Sequence, residues 1–182
     1  MSVDLENLVA DLHEEVRSRF FGKYRGVVLN VDDPEQMGRI QARVPEVLQE
    51  ASSAWAVPCV PFAGAGHGLV LLPELGDGVW IEFEAGDIAR PVWTGCWWGA
   101  GELPPPGGPQ TRALVTTKGH KIVLDDLTDE VRVVHSGGAE LKMTATELTI
   151  TVGQSEIKLM KDGIYLVATK IDLNKGALVL GA

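Results

Sequence analysis

Apolar residues along this chain follow different spacings in different stretches, and each spacing predicts a different kind of structure. Between residues 2 and 20 they recur every three or four positions, which is typical of one face of an amphipathic helix. The apolar positions of this stretch are Val3, Leu5, Leu8, Val9, Leu12 and Val16. We predict an N-terminal helix or arm over residues 1–20. Its apolar stripe has two interpretations: it packs on its own domain, or it docks on a neighbouring protein.

From Tyr24 onward, short runs with apolar residues end at Gly, Pro or Asp. Residues 39–44 read Arg-Ile-Gln-Ala-Arg-Val and stop at Pro45, which is typical of a half-buried strand. The six predicted strands cover residues 24–31, 39–44, 55–60, 68–72, 78–84 and 91–98. Short strands with no helix between them predict a small antiparallel barrel over residues 21–103.

A proline-rich run separates this barrel from the rest of the chain. Residues 103–109 read Leu-Pro-Pro-Pro-Gly-Gly-Pro. Proline has no backbone N–H, so this run cannot continue a sheet ladder. We interpret residues 104–111 as a semi-rigid linker that leads into a second domain at residues 112–182.

In the second domain the apolar residues come in pairs whose members are two positions apart. Several pairs follow one another at a spacing of seven, but a coiled coil needs apolar residues three and four apart. Frequent Ile, Val, Thr and Gly also oppose a long helix, so we predict eight short strands. Their apolar pairs are Ile122/Leu124, Val131/Val133, Leu141/Met143, Leu148/Ile150, Ile157/Leu159, Ile164/Leu166, Ile171/Leu173 and Leu178/Leu180.

Each of these strands has one narrow apolar face that a single chain cannot bury. Repeated elements of this kind need stacking partners, and three chains wound around one axis supply them. We therefore predict an intertwined trimeric β-helix, a β-prism roughly 40 Å long if each of eight strands climbs ~4.8 Å. The predicted trimer core consists of Leu141, Met143, Leu148, Ile150, Ile157, Leu159, Ile164, Leu166, Ile171 and Leu173.

The charge of the chain opposes a nucleic-acid partner. The formal net charge is −9 and the sequence pI is near 4.9, whereas phosphate backbones need a basic surface. Residues 1–103 carry sixteen acidic and seven basic side chains, so the barrel is the acidic part. Stacking on bases requires exposed aromatic side chains, but in an acidic barrel we assign the tryptophans to the core and the trimer contact. They are Trp80, Trp93, Trp97 and Trp98.

Two pairs of carboxylates, Glu82/Glu84 and Asp125/Asp126, have the residue types of an acid–base pair. Both lie in strand or turn contexts that are typical of solvated surface. The glycine-rich stretch at residues 64–68 lacks the helix that follows a phosphate-binding loop. We therefore expect no enzyme and no cofactor.

The histidines and cysteines do not indicate a metal site either. The histidines lack metal-ligand spacing, and neither Cys59 nor Cys96 belongs to a CxxC pair. We predict buried free thiols and a protein made in a reducing compartment, the cytoplasm. No stretch approaches the ~20 apolar residues of a transmembrane helix. The four histidines are His13, His67, His120 and His135.

An ordered series of motifs carries a resemblance to a known family. The motifs are Tyr24-Arg-Gly-Val-Val, Asp33-Pro34, Met37-Gly-Arg-Ile-Gln-Ala-Arg-Val-Pro45, Trp55-Ala56, Gly64-Ala-Gly-His-Gly68, Leu72-Pro-Glu-Leu-Gly-Asp77, Phe83-Glu-Ala-Gly-Asp87, Pro91-Val-Trp-Thr-Gly95 and Thr117-Lys-Gly-His-Lys-Ile-Val-Leu-Asp-Asp126. In these motifs the chain resembles phage baseplate assembly protein V and the VgrG hub-spike proteins of contractile tails and injection systems. The resemblance implies an OB-fold barrel followed by a trimeric β-helix.

The same resemblance implies a structural role. Three chains would stand on the tail axis, cap the tube, contact hub or tail-tube proteins and pierce the target envelope, touching the target membrane only on puncture. Such a protein is assembled in the cytoplasm and becomes part of a virion tail or an injection-system baseplate. Two alternatives stay open: an acidic OB-fold binding module that a β-stalk trimerises, and an enzyme acting on cell-wall polymer.

The chain departs from the family pattern in two respects. It has no room for the muramidase or tube-like domains of larger members, so we expect a separate hub ring and a separate lytic activity. It also lacks the His-x-His metal-binding apex of some short spikes, because no histidine follows His135. Its apolar end instead predicts a separate tip protein of the PAAR type. The predicted contact residues are Leu178, Leu180, Gly181 and Ala182.

Overall fold

Strands dominate both parts of the chain in the computed structural model, which describes residues 2–173 and 178–180. The chain divides into two units, Met1–Glu102 and Leu103–Ala182. The mainly β fold with a short N-terminal helix that the sequence predicts is confirmed. The elements of the first unit are α1 (Ser2–Arg17), β1 (Tyr24–Asn30), β2 (Gln41–Arg43), α2 (Pro45–Leu48), β3 (Val57–Pro58), β4 (Ala63–Gly64), β5 (His67–Gly68), β6 (Gly78–Phe83) and β7 (Pro91–Trp97).

Helix α1 ends at Arg17, three residues before the predicted end. Four apolar side chains of its stripe are 54–64% exposed. These four side chains are therefore largely uncovered by the barrel of their own chain. Within the described residues, no helix is long and apolar enough to cross a bilayer. The four exposed side chains are Leu8, Val9, Leu12 and Val16.

Five strands of the first unit form a barrel in the order β2-β1-β6-β7-β3. Strand β3 runs parallel to β7, whereas the other neighbours are antiparallel. Ile40 and Ala56 exchange two backbone hydrogen bonds of 3.1 and 2.8 Å, which join the segment before β2 to the segment before β3. These bonds close the sheet, so the small barrel predicted from the strand pattern is present.

The barrel core follows from strand alternation. On β6, Val79, Ile81 and Phe83 are buried, and the residues between them are half-buried. Successive side chains of a strand point to opposite faces, so one face of β6 lines the interior. The buried core consists of Val28, Ile40, Ala42, Val44, Ala56, Val79, Ile81, Phe83 and Trp93.

The predicted strand at residues 68–72 is wrong. Strands β4 and β5, of two residues each, form a hairpin. Leu69 adds one backbone hydrogen bond to it, with its N–H donating to the carbonyl of Phe62 at 3.2 Å, but residues 69–72 belong to no strand. This run is apolar at every position, so it lacks the alternation of a half-buried strand, and Pro73 follows it. Val70 is 78% exposed. Helix α2 was not predicted; it begins at Pro45, a position where the missing N–H of proline costs no hydrogen bond.

The second unit is built from hairpins. Its first seven strands form one antiparallel sheet in which each strand pairs with the next, and the last two form a separate two-stranded sheet. Strand β8 was not predicted, and it begins at Thr111, the last residue of the predicted linker. The strands are β8 (Thr111–Val115), β9 (Lys121–Asp125), β10 (Glu130–Val134), β11 (Glu140–Met143), β12 (Glu147–Val152), β13 (Ser155–Met160), β14 (Gly163–Val167), β15 (Ile171–Leu173) and β16 (Leu178–Leu180).

Short turns explain why these strands pair in chain order. Only Gly153 and Gln154 connect β12 to β13, and two residues connect β13 to β14. Gly153 has a φ of 59°, a left-handed conformation that glycine adopts without steric cost. Turns of this length bring consecutive strands side by side.

Candidate functional site

Strand register joins the apolar pairs into two continuous rows across one face of the seven-stranded sheet. The ladder places Ile150 opposite both Leu141 and Ile157, so that neighbouring pairs touch across the strands. The first apolar row is Leu114, Ile122, Val133, Leu141, Ile150, Ile157 and Leu166. The second apolar row is Leu124, Val131, Met143, Leu148, Leu159 and Ile164.

These two rows are uncovered within the single chain. Eleven of the thirteen side chains are 38–70% exposed, the exceptions being Leu141 and Leu148, which are half-buried. Soluble monomers rarely expose a contiguous apolar patch of this kind. Covering a half-exposed Leu, Ile or Val stabilises a structure by about 1 kcal/mol, so thirteen such side chains favour association strongly.

The opposite face of the sheet carries charged side chains on β10 to β13, whereas Val123 of β9, which lies opposite Arg132 on that face, is fully buried. Thr149, which lies between Lys142 and Lys158 in the ladder, is only 7% exposed. Charged side chains pair with one another across this face at N–O distances of 3.4–3.8 Å, which suits contact with water rather than with an apolar partner. The ion pairs join Arg132 to Glu130 and Glu140, Lys142 to Glu130, and Lys158 to Glu147 and Glu156.

The structure brings most of the predicted trimer-core residues together. Those from Leu141 to Leu166 all lie in the two rows, whereas Ile171 and Leu173 lie in β15, outside the seven-stranded sheet. Five row residues were missing from the predicted core. The pair spacing had signalled four of them, but Leu114 is recognised only once β8 pairs with β9. The missing residues are Leu114, Ile122, Leu124, Val131 and Val133.

The predicted tip-contact residues are only partly described. Leu178 and Leu180 lie in β16, which pairs with β15 through the register Leu173–Leu178 and Ile171–Leu180. Gly181 and Ala182 lie outside the described residues. Contact of this end with a tip protein stays a prediction.

The carboxylates considered as acid–base pairs are engaged within the chain. Glu84 does not continue β6; it begins a 3-10 turn, Glu84–Gly86. Asp125 accepts the N–H groups of the turn that follows it, at 2.9 and 3.3 Å. The other three have cationic partners: Glu82 pairs with Lys23 at 2.6 Å, Glu84 with Arg90, and Asp126 with Arg112 at 2.8 Å.

His120 and His135, for which the sequence predicts no contact, are neighbours in the structure. The ring centroids of His120 and His135 lie 4.5 Å apart. The Nδ1 atom of His120 accepts the N–H of Ser136 at 3.2 Å, and that of His135 accepts the N–H of Gly137 at 3.0 Å. No group of three His, Cys, Asp or Glu side chains among the described residues could hold a metal ion.

The prediction that the cysteines are buried is wrong. Cys59 and Cys96 are free, but both are exposed. Alternation along β7 turns Pro91 and Trp93 inward and Cys96 outward. Partial desolvation, with a smaller contribution from the charge of Asp77, raises the pKa of the Cys96 thiol.

The tryptophans of the barrel have different environments. Trp93 lies in the core, and its Nε1–H donates to the carbonyl of Gly38 at 3.1 Å. Arg25 lies over the rings of Trp80 and Trp97, 5.5 and 5.0 Å from their centroids. Trp98 is 66% exposed. The predicted core role therefore holds for Trp93.

Asp33 organises the loop after β1. Its carboxylate accepts the backbone N–H groups of Glu35, Met37 and Arg39 at 2.8–3.2 Å and the guanidinium of Arg39 at 2.6–3.0 Å. The Arg39 guanidinium also lies 5.6 Å from the ring centroid of Trp55. The hydrogen bonds from Arg39, reinforced by those of the backbone, hold the pKa of Asp33 well below its usual range.

This arrangement predicts that Asp33→Asn changes how the barrel responds to acid. The unfolded chain takes up a proton near pH ~3.9, but the native carboxylate resists protonation, so its stabilising effect is lost as the pH falls from about 5 to 2. The variant should be less stable than wild type at pH 7 and should lose less stability over that acidic range. Urea unfolding followed by tryptophan fluorescence measures this, because all five tryptophans lie between residues 55 and 98. Asp32→Asn, at an exposed neighbouring position, is the control; equal pH profiles for wild type and Asp33→Asn would contradict the prediction.

Comparison with protein families covers both units. Residues 24–98 match the family described as the type VI secretion system/phage-baseplate injector OB domain. Residues 112–179 match the family described as the phage baseplate V C-terminal trimerisation domain. A comparison with curated proteins finds no match. The barrel strands and both apolar rows, which begin at Leu114, therefore lie within matched domains.

Proposed function

This chain belongs to the family of baseplate V and VgrG-like spike proteins, and we propose that its homotrimer is the central spike that leads a contractile tail or injection tube through the target envelope. In this role the barrel contacts hub or tail-tube proteins. The second unit forms the shaft, and a separate tip protein covers its end. The families matched are structural domains of baseplates, which favours this role over catalysis.

The observation that carries the proposal is the pair of uncovered apolar rows on a sheet whose other face carries paired charges on β10 to β13. A trimerisation domain needs such a face, because burying it drives association. Three identical sheets that turn their rows toward a common axis would bury all thirteen side chains of each chain. The paired charges of Glu130, Arg132 and Lys158 would remain in water.

The dimensions of the sheet suit a triangular prism. At each level from β9 to β14 the two rows supply two apolar side chains per chain, so three chains supply six to fill one cross-section. At β8 only Leu114 belongs to the rows, because Arg112 lies opposite Leu124. With neighbouring strands ~4.8 Å apart, seven strands span roughly 30 Å. In this arrangement each chain forms one wall of the prism. Each strand of a wall is hydrogen-bonded to the next strand of the same chain, so the wall is a stiff element that can transmit force.

Helix α1 is the element that we assign to the hub or tail tube. From Leu8 onward its stripe is largely uncovered by its own barrel, and the exposed positions Leu8, Leu12 and Val16 recur at helical spacing. An amphipathic helix with an open apolar face docks in a groove of another protein. This is the docking-arm interpretation of the sequence pattern.

Leu12→Asp tests that assignment. The new carboxylate would be buried in an apolar contact, so capture of tail-tube or hub proteins in a pull-down should weaken about tenfold or more. The trimer should persist, because α1 lies outside the matched trimerisation domain. Ala10→Asp adds the same charge to the opposite side of the helix and should leave capture unchanged; equal losses in the two variants would contradict the docking role of the stripe.

Two measurements test the proposed function as a whole. Native mass measurement should give three times the 19.6 kDa of the chain, and a stable monomer would refute the spike. Copurification with tail-tube or hub proteins separates the spike from an acidic OB-fold module that a β-stalk trimerises. That alternative predicts a trimer without such axial partners.

A further inference from the structure

The seven-stranded sheet has two lateral ends with different chemistry. We name the turns at residues 116–120 and 135–139 the His end. We name the turn at residues 126–129 the Asp end. Both belong to the first levels of the sheet, since they connect β8 to β9, β10 to β11 and β9 to β10. Because strands run from one end to the other, the two ends of one chain lie on opposite sides of its sheet.

The His end presents hydrogen-bond donors. The Nδ1 atoms of His120 and His135 both accept backbone N–H groups, so each neutral ring carries its proton on Nε2. Metal-ligating histidines instead donate their second ring N–H to a neighbour, which argues against a metal here. Lys118 is exposed and forms no hydrogen bond or ion pair within the described part of the chain. Its three N–H groups add to the donors.

The Asp end presents acceptors. Asp126 pairs with Arg112 at 2.8 Å, but the exposed carboxylate of Asp129 has no partner among residues 2–173 and 178–180. Leu127, in the same turn, is 74% exposed. The turn therefore offers an unpaired acid and an apolar side chain to whatever lies beside it.

The two ends cannot meet within one chain. The five residues of β9 separate them, about 15 Å at 3.3 Å per residue. In a closed ring of three identical subunits, however, each contact joins two different patches. One lateral end of each sheet therefore lies against the other lateral end of the next sheet. A threefold rotation involves no shift along the axis, so turns from the same strands meet at nearly the same height.

From this geometry, and on the basis of the proposed trimeric spike, we infer that the His end of each chain docks on the Asp end of its neighbour, with Lys118 beside Asp129. The partner is a second copy of this chain, and the contact joins donors to acceptors. This contact also fixes the register of the three chains along the axis, which the apolar rows do not. Leu, Ile and Val repeat at every level of the rows, so the rows alone would tolerate a slip along the axis. A polar contact at one height selects a single register.

Disulfide trapping tests the contact in the full-length chain. In a Cys59→Ser, Cys96→Ser background, Lys118→Cys combined with Asp129→Cys should form disulfides on mild oxidation. A disulfide requires Cα atoms about 4.4–6.8 Å apart, so a bond between these positions must join two chains. The expected result is a covalent species of three chains on a denaturing gel without reductant. Asp129 has a φ of 53°, a left-handed conformation that a substituted cysteine adopts less readily. Lys118→Cys with Leu127→Cys is therefore the second pair, and a covalent trimer from that pair would equally support the contact.

The matched control is Lys118→Cys with Lys161→Cys. Lys161 lies in the turn between β13 and β14, on the same side of the sheet as Asp129 but four strand spacings away, about 19 Å. A trimer by native mass that yields no cross-link at either test pair, or as much at the control pair, overturns the inferred contact and leaves the proposed function standing. If the cysteine-free parent is a monomer by native mass, both fall.

Discussion

Ile157→Asp is expected to convert the trimer into monomers. Ile157 lies in the first apolar row between Ile150 and Leu166, so threefold symmetry would place three carboxylates at one height in an apolar cross-section. An unpaired charge in such surroundings costs several kcal/mol, and the three charges also repel one another. Native mass measurement and light scattering at fixed protein concentration measure the result.

The neighbouring residue supplies a matched control for this variant. Lys158→Gln changes a charge on the opposite face and removes ion pairs of 3.7 and 3.4 Å with Glu147 and Glu156. Partly exposed pairs contribute about 0–1 kcal/mol each, so this trimer should persist. An Ile157→Asp trimer that melts like wild type would show that the rows do not face the axis.

Ile81→Ala is expected to lower the free energy of unfolding of the barrel by about 2–5 kcal/mol. Ile81 is fully buried, and it lies on β6, between β1 and β7. Truncating it removes apolar contacts from the closed barrel and leaves a cavity. Urea unfolding followed by tryptophan fluorescence reports on the barrel alone, since residues 103–182 contain no tryptophan.

Leu71→Ala is the control for Ile81→Ala, because it also truncates an apolar side chain but removes little buried packing. Leu71 is 53% exposed, so its truncation should change stability by less than about 0.5 kcal/mol. Both variants should remain trimeric by native mass, because neither lies in the matched trimerisation domain. Equal shifts in the unfolding midpoint for Ile81→Ala and Leu71→Ala would contradict the assignment of Ile81 to the core.

Sequence reasoning succeeded where the signal is confined to one strand. The pairs Leu148/Ile150 and Ile157/Leu159 could be read directly, because alternation of side chains is a property of a single extended segment. Each of the eight strands predicted in the second domain is present, and both members of every apolar pair lie in the same strand. The family motifs were similarly readable, and matches to an OB domain and to a trimerisation domain bear them out.

Sequence reasoning failed where the outcome depends on partners that are distant in the chain. Residues 69–72 have the apolar composition of a strand but form none, since only Leu69 is bonded to the β4–β5 hairpin among the backbone hydrogen bonds described. Cys96 is exposed because of the orientation of β7 in the barrel. His120 and His135 meet only because β9 and β10 pair in one particular register. The two histidines are fifteen positions apart, and no pattern in the sequence predicts that they are neighbours.

The sequence by itself determined that the second unit consists of short strands with one apolar face, and that this face needs other chains. The reason is local, since residues two apart share a face of any strand. Only the tertiary structure decided that the pairs align into two uninterrupted rows, and that paired charges of β10 to β13 lie on the face behind them. Strand register, turn length and barrel closure decide which faces coincide, and these depend on hydrogen bonds between segments. The same register separates the His end from the Asp end, so that only a neighbouring copy of the chain can bring them together.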